Sequence, residues 1–180
     1  MAEIFVETPR LILRGWRDED AEPFHAMFQD PRVMEFLGPP ETLEGVRAIV
    51  ARIQGDIAKT GYWFWAMEQK SDGAFMGFCG VKPGPAGTPI ADKTEIGWRM
   101  AHAYWGHGFA REAAEASIDW TWANLPTPDI WAITVLGNSR SWGLMERLGM
   151  ERRHDLDFDH PNVPDGSPLK RHLTYSLARP

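Results

Sequence analysis

Several things are scarce in this sequence, and each scarcity excludes a class of protein. There is one cysteine, Cys79, so no intrachain disulfide can staple the fold. Basic residues are outnumbered, 19 Lys and Arg against 25 Asp and Glu, giving a net charge of −6. A chain with that balance and no basic cluster lacks the means to neutralise phosphates nonspecifically, so nucleic acid is not an expected partner. The longest apolar run, residues 62–67, is far below the roughly 20 residues needed to span a bilayer. No membrane partner is expected. The opening residues carry charges at Glu3, Glu7, Arg10 and Arg14 and contain no apolar stretch of signal-peptide length, which makes the cytoplasm the expected compartment. Of the six histidines, none stands three or four residues from another His or from the cysteine, so no metal is expected.

What is present suits one α/β domain spanning residues 1–180. Hydrophobic residues make up 43% and charged residues 24% of the chain, enough apolar material for a core. Nine tryptophans exceed what a core of this size requires and point to pocket walls or an interface as well. The pattern predicts a first strand at 10–14. A helix follows, capped by Asp18 or Asp20 and closed at Asp30-Pro31, and then a second helix capped by Thr42. Strands at 63–68 and 75–81 flank Ser71-Asp72-Gly73 as a hairpin, and another strand covers 94–100. A helix begins after Gly106 and is stopped by Pro126 and Pro128. A strand at 130–136, a short helix opened by Asn138 and stopped by Gly149, a polar loop at 154–168 and a last strand at 172–177 complete the order. Interleaved helices with a central hairpin predict a mixed twisted sheet covered on both faces.

The most informative segment is the turn between the strand at 94–100 and the following helix, Trp105-Gly106-His107-Gly108-Phe109-Ala110-Arg111. The first turn of a helix presents amides without intrahelical acceptors at the positive end of its dipole. Glycines let the backbone curl so that several such amides converge on one anion, a pyrophosphate being the natural guest. No Lys-Ser/Thr follows the second glycine, which excludes a P-loop and disfavours ATP. Arg111 stands where a dinucleotide fingerprint needs its third glycine. Taken alone, a G-x-G-x-A turn fits equally well a tight bend that simply needs positive φ.

Read together with other segments, this turn resembles the acetyl-CoA pyrophosphate loop of the GNAT superfamily of N-acetyltransferases, in the form found in its RimJ/RimL-type branch. Gly108 and Ala110 match the loop pattern, while Trp105 replaces the usual Gln or Arg. The stretch 104–113 resembles that branch's form of the loop, residues 8–14 its opening strand, Glu95-Ile96-Gly97-Trp98 its fourth strand, and Asn138-Ser139-Arg140-Ser141 with Leu144 and Leu148-Gly149-Met150 its second cofactor motif. The resemblance implies a mostly antiparallel twisted sheet with helices on both faces and two strands splayed into a cofactor cleft. It implies acetyl-CoA as cosubstrate, with pyrophosphate held by the backbone of Gly106, His107, Gly108, Phe109, Ala110 and Arg111. Trp105 would stand beside that loop. Backbone groups at Trp98, Arg99 and Met100 would hold the pantetheine arm, aided by Asn138.

Two residues emerge as catalytic candidates. Glu95 would be the general base, since a protonated amine cannot attack a thioester and a strand carboxylate in a partly apolar cleft can have a raised pKa. Ser141 would hydrogen-bond the departing sulfur, because Met145 occupies the position where many family members carry a tyrosine. Phe36, Leu37, Trp63 and Trp65, with Asp155, Asp157, Asp159 and Asp165, are the expected acceptor wall, suited to a cationic amine. The activity implied is acetyl transfer to a primary amine, either a protein N-terminus or a small molecule, in a ternary complex. The alternative is a noncatalytic acyl-CoA-binding or sensing module. The sequence is compatible with a homodimer but does not require one.

Overall fold

The structure, a computed structural model, describes residues 2–180. Nine strands form one sheet in the order β1-β2-β3-β4-β5-β6-β9-β7, with β8 also on β9. The strands are β1 (Ile4–Glu7), β2 (Leu11–Arg14), β3 (Phe64–Gln69), β4 (Phe75–Pro83), β5 (Thr94–Met100), β6 (Asp129–Val135), β7 (Glu151–Arg152), β8 (Phe158–Asp159) and β9 (Arg171–Ala178). The helices are α1 (Ala21–Phe28), α2 (Pro31–Met34), α3 (Leu43–Thr60), α4 (Phe109–Asn124) and α5 (Ser139–Arg147). Every strand pairing is antiparallel except β5 with β6. Helices cover both faces, so the mixed, mostly antiparallel architecture is the expected one.

Two apolar layers sandwich the sheet. On one face Leu11, Leu13, Trp65, Met67, Cys79, Ile96 and Met100 pack with Ala113, Ala114 and Ile118 of α4. On the other, Ala66 and Phe78 pack with Phe24, Phe28, Val46, Val50 and Ile53 of α1 and α3. Alternation along β3 and β5 assigns each side chain to one layer or the other. Thr42 caps α3 by accepting the Gly45 amide at 3.0 Å, and Gly61, in the left-handed region at φ 82°, ends it.

Three local expectations are revised. Residues Ile4–Glu7 form an additional edge strand, whose partly exposed residues lack the alternation that marks a strand in sequence. Asp30 does more than close α1: its side chain accepts the Arg32 amide at 2.9 Å and caps α2. Asp20 does not cap α1 with its side chain. Its carboxylate instead receives Arg14 through Nη1 at 2.8 Å and Nη2 at 2.9 Å, and the Arg17 amide at 2.8 Å. Arg14 also reaches Glu68 on β3 at 2.6 Å. An ionic knot therefore ties β2 and β3 to the start of α1.

The pairing of β5 shapes the site. Its full length, from Thr94 to Met100, pairs with β4, but only Thr94 and Glu95 pair with β6, opposite Ile130 and Trp131. Beyond Glu95 the two strands diverge, while β6 stays paired with β9 through Val135. The open edge of β5 at 96–100 faces a gap into which the turns before α4 and α5 project.

Candidate active site

After β5 the chain makes a 3-10 turn at His102–Tyr104 and two left-handed glycine bends, Gly106 at φ 81° and Gly108 at φ 80°, before α4 starts at Phe109. Left-handed backbone is costly for any residue with a Cβ, so both bends need glycine. The Glu112 amide bonds the Gly108 carbonyl at 3.0 Å. The amides of Phe109, Ala110 and Arg111 come before it and have no intrahelical acceptor.

A brace that local sequence patterns do not reveal holds this turn. Glu112 Oε1 accepts Thr8 Oγ1 at 2.6 Å and the Arg10 amide at 3.1 Å, and its Oε2 accepts Arg10 Nε at 2.6 Å. Arg10 Nη1 donates to the His107 carbonyl at 3.0 Å, and the guanidinium lies 4.3 Å from the Phe109 ring centroid. Glu112 is partly desolvated, which raises its pKa, but its bonds to Thr8 and Arg10 outweigh this and hold it below the ordinary value. The contacts join residues about a hundred positions apart, so only the opening-strand resemblance of 8–14 hinted that this segment matters.

The gap between β5 and β6 opens into a cleft of about 690 Å³. Trp98, Arg99, Met100, Trp105, Gly106, Gly108, Ala110, Arg111, Asn138 and Ser141 all line it. The candidates His107, Phe109 and Glu95 do not. Phe109 is buried beneath Arg10, and His107 offers its carbonyl to that same arginine. Trp105 donates its indole N–H to the Met100 carbonyl at 2.8 Å, and Arg140 lies 4.6 Å from its ring. Arg140 also pairs with Glu35 at 3.0 Å, linking the start of α5 to the segment after α2. Phe36 lies against Gly137, where a Cβ would stand 2.9 Å from the ring. Five arginines line the cleft, at 32, 99, 111, 140 and 147, and no carboxylate does. On a protein of net charge −6 the lining is thus rich in cations, although Arg32, Arg111 and Arg140 each pair with a carboxylate outside it.

Glu95 is buried at the point where β5 still pairs with β6, and its carboxylate is hydrogen-bonded to Lys82 of β4. Burial raises its pKa, opposed by the Lys82 charge and hydrogen bond, and the net direction is upward. Lys82 itself sits 5.3 Å from the Phe64 ring and 5.9 Å from Trp63. Asn138 Oδ1 accepts the Ser141 amide at 3.3 Å, capping α5 and fixing Ser141 on the cleft wall. Met145 is buried in the core, and burial pushes the Cys79 thiol up to about 12, which disqualifies it as a nucleophile.

The expected acceptor wall is partly corrected. Phe36 and Leu37 line the cleft, joined by Arg32 and Val33. Trp65 does not: it is fully buried against Trp120 and Phe5 in the α4 layer. The loop carboxylates are all engaged, Asp155 with Arg153, Asp157 with Arg152, Asp159 with Arg171 and Asp165 with Lys170.

A mostly antiparallel sheet, opened beyond its one parallel pairing and facing a glycine-curled helix N-terminus, is the acetyltransferase-type fold. The chain belongs to the GNAT acetyltransferase family: residues 10–151 match the Acetyltransferase (GNAT) domain. It is 33% identical over 146 residues to the uncharacterized protein YkkB of Bacillus subtilis, covering 79% of this chain and 83% of that one. Its fold is shared with a GNAT-family acetyltransferase from Bacillus anthracis, at a TM-score of 0.78 and 22% identity over 99% and 98% of the two chains. RimL, a ribosomal L7/L12 alpha-N-protein acetyltransferase solved with coenzyme A, superposes at a TM-score of 0.75 with 13% identity, each chain 98% covered.

Proposed function

We propose that this protein is an acetyl-CoA-dependent N-acetyltransferase that moves an acetyl group directly to a primary amine in a ternary complex. The observation that carries this reading is the cleft itself, in which free helix-turn amides, an open strand edge and five arginines converge without a single carboxylate. The amides around Gly106 to Arg111 would hold the pyrophosphate, with Arg111 beside them. The open edge at 98–100 and Asn138 would hold the pantetheine arm. When bound, acetyl-CoA supplies an acetyl group activated as a thioester. The amine nitrogen bonds to the acetyl carbon, the carbon–sulfur bond breaks, and the proton lost by nitrogen is balanced by one gained at sulfur. Glu95 takes the proton of the incoming ammonium through water, and the Ser141 hydroxyl hydrogen-bonds the departing sulfur. The resemblance to the RimJ/RimL-type branch and the likeness to RimL support a protein N-terminal amine or a small amine as acceptor, in the cytoplasm.

A second reading, a noncatalytic acyl-CoA sensor, is favoured by one observation. Glu95 sits in an ion pair with Lys82 and outside the cleft lining. Calorimetric titration with acetyl-CoA, using ATP and NADH as controls, followed by a thiol-release assay over an amine panel, separates the two. Submillimolar binding of acetyl-CoA alone, weakened at least tenfold in Gly108→Val, together with thiol release on adding amines, supports the enzyme. Binding without release from any amine leaves the sensor, and no binding removes both.

A further inference from the structure

Arg99 differs from the other arginines of the cleft. Arg32 pairs with Asp30 at 2.7 Å, Arg111 with Glu115 at 2.8 Å and Arg140 with Glu35 at 3.0 Å, while Arg147 is exposed on α5. Among the described residues the Arg99 side chain has neither a hydrogen-bond partner nor an ion pair, and its Nε is enclosed without a partner. Its guanidinium is boxed by the rings of Phe28, Phe78 and Phe24, at 4.9, 5.6 and 5.9 Å from its carbon. Ring faces attract the charge, but they offer no lone pairs in the plane of a guanidinium. Burial pulls the Arg99 pKa down to about 10, still far above neutrality, so the side chain stays a cation in search of an anion.

Its place in the sheet decides which anion. Along β5, Trp98 and Met100 turn toward the α4 layer, whose helix N-terminus is the pyrophosphate site proposed above. Arg99 turns the opposite way, toward α1, together with Glu95 and Gly97. Gly97 marks the same face, since a Cβ there would meet the Phe64 ring at 2.6 Å. The cleft therefore runs from an α4 side suited to phosphates to an α1 side where Arg99 stands beside Arg32, Val33 and Phe36.

Building on the acetyltransferase reading, we propose that Arg99 anchors the acceptor by a carboxylate, so that the acceptors are small amino-carboxylic acids and not amines without an anionic group. A carboxylate matches the planar fork of an arginine with two parallel hydrogen bonds, a geometry that lysine cannot reproduce. Val33, Phe36 and Leu37 on the cleft lining leave apolar surface for a side chain.

The test compares L-leucine with L-leucinamide as acceptors. The amide's amine is more easily deprotonated, so amine chemistry alone favours the amide. The expected result is a kcat/KM at least tenfold higher for the acid. In Arg99→Met that ratio falls to one or below, and in Arg99→Lys it is intermediate. Equal use of the two acceptors, or a preference for the amide, overturns the proposal. So does an Arg99→Met variant that loses acetyl-CoA binding, which would make Arg99 a cofactor ligand. A parallel calorimetric titration of the wild-type protein, with and without coenzyme A, uses N-acetyl-L-leucine and its methylamide and needs neither turnover nor a variant. Tenfold tighter binding of the acid supports the anchor even if the transferase reading fails. Equal binding, or none of either, overturns the anchor even if acetyl transfer to other amines is found.

Discussion

At the scale of the residue, Glu95 carries a charge where burial opposes it and Lys82 supports it, with burial the larger influence. A general base works only when deprotonated, so with Glu95 in the role proposed for it activity is expected to fall as pH drops through its pKa, and the upward shift places that limb above the ordinary 4.5. Glu95→Gln is expected to lower kcat/KM by about 10²-fold and to erase the acid limb. Lys82→Met is expected to move the limb to higher pH, since it removes the influences that oppose burial. A pH–rate profile of the three proteins reads this directly. An unchanged limb in Glu95→Gln would transfer the base role elsewhere. The linked stability has a definite sign. Because the folded pKa is raised, the contribution is full below 4.5 and is lost as pH rises through the folded value.

At the scale of the element, two ionic ties set the positions of the pieces that build the cleft. Arg14, Asp20 and Glu68 are almost wholly withdrawn from water, with side-chain exposures of 3%, 3% and 13%. Burial alone would lower the Arg14 pKa, but its bonds to Asp20 and Glu68 prevail and raise it. Replacing Arg14 by Met leaves the buried Asp20 carboxylate with the Arg17 amide but no cation, while Glu68 keeps Arg17 at 3.1 Å, and a loss of about 3 kcal/mol in denaturant unfolding is expected. A loss under 1 kcal/mol would show that the carboxylates find water instead. The second tie, Thr8 and Arg10 to Glu112, secures the glycine turn from the far end of the chain. Glu112→Gln retains an acceptor but loses the charge, and acetyl-CoA affinity is expected to fall severalfold in calorimetry with little change in fold. Since the Glu112 pKa is depressed, the brace is intact above 4.5 and weakens as pH falls through the folded value. Unaltered affinity in the variant would mean that the glycine turn holds its shape unaided.

At the scale of the whole molecule, the site exists because one sheet fails to close. Parallel pairing of β5 with β6 stops at Glu95, and beyond it β5 pairs only with β4 while β6 pairs only with β9. Backbone groups on the free edge at 96–100 are then open to solvent or to a ligand. Hydrogen exchange is expected to show faster exchange at 96–100 than in β4, and protection there and at 106–111 on adding acetyl-CoA. Protection confined to α5, with no change at 96–100, would contradict the placement of the pantetheine arm. The same geometry separates charge. An acidic exterior surrounds a cleft with five arginines, so added salt is expected to weaken acetyl-CoA binding.

Residues that depend on a few neighbours were readable from the chain alone. The left-handed bends at Gly106 and Gly108, the Asn138 cap on α5, the Thr42 cap on α3 and the turn at 71–73 each follow from local backbone preferences. The mixed sheet followed from the order of the elements, and the family from the resemblance of residues 8–14, 95–98, 104–113 and 138–150 to known motifs. Other features rest on which side chains meet across the fold, and no periodicity encodes that. Asp20 is a good cap by type, yet it was claimed by Arg14. Trp65 reads as a pocket wall but lies in the α4 core, and the loop carboxylates each stand next to a basic side chain, with only Asp157 shielded from water. The isolation of Arg99 is of this kind too. A cation is unpaired only with respect to everything packed around it, and that inventory exists only once β5 lies between α1 and α4 and its far edge has parted from β6.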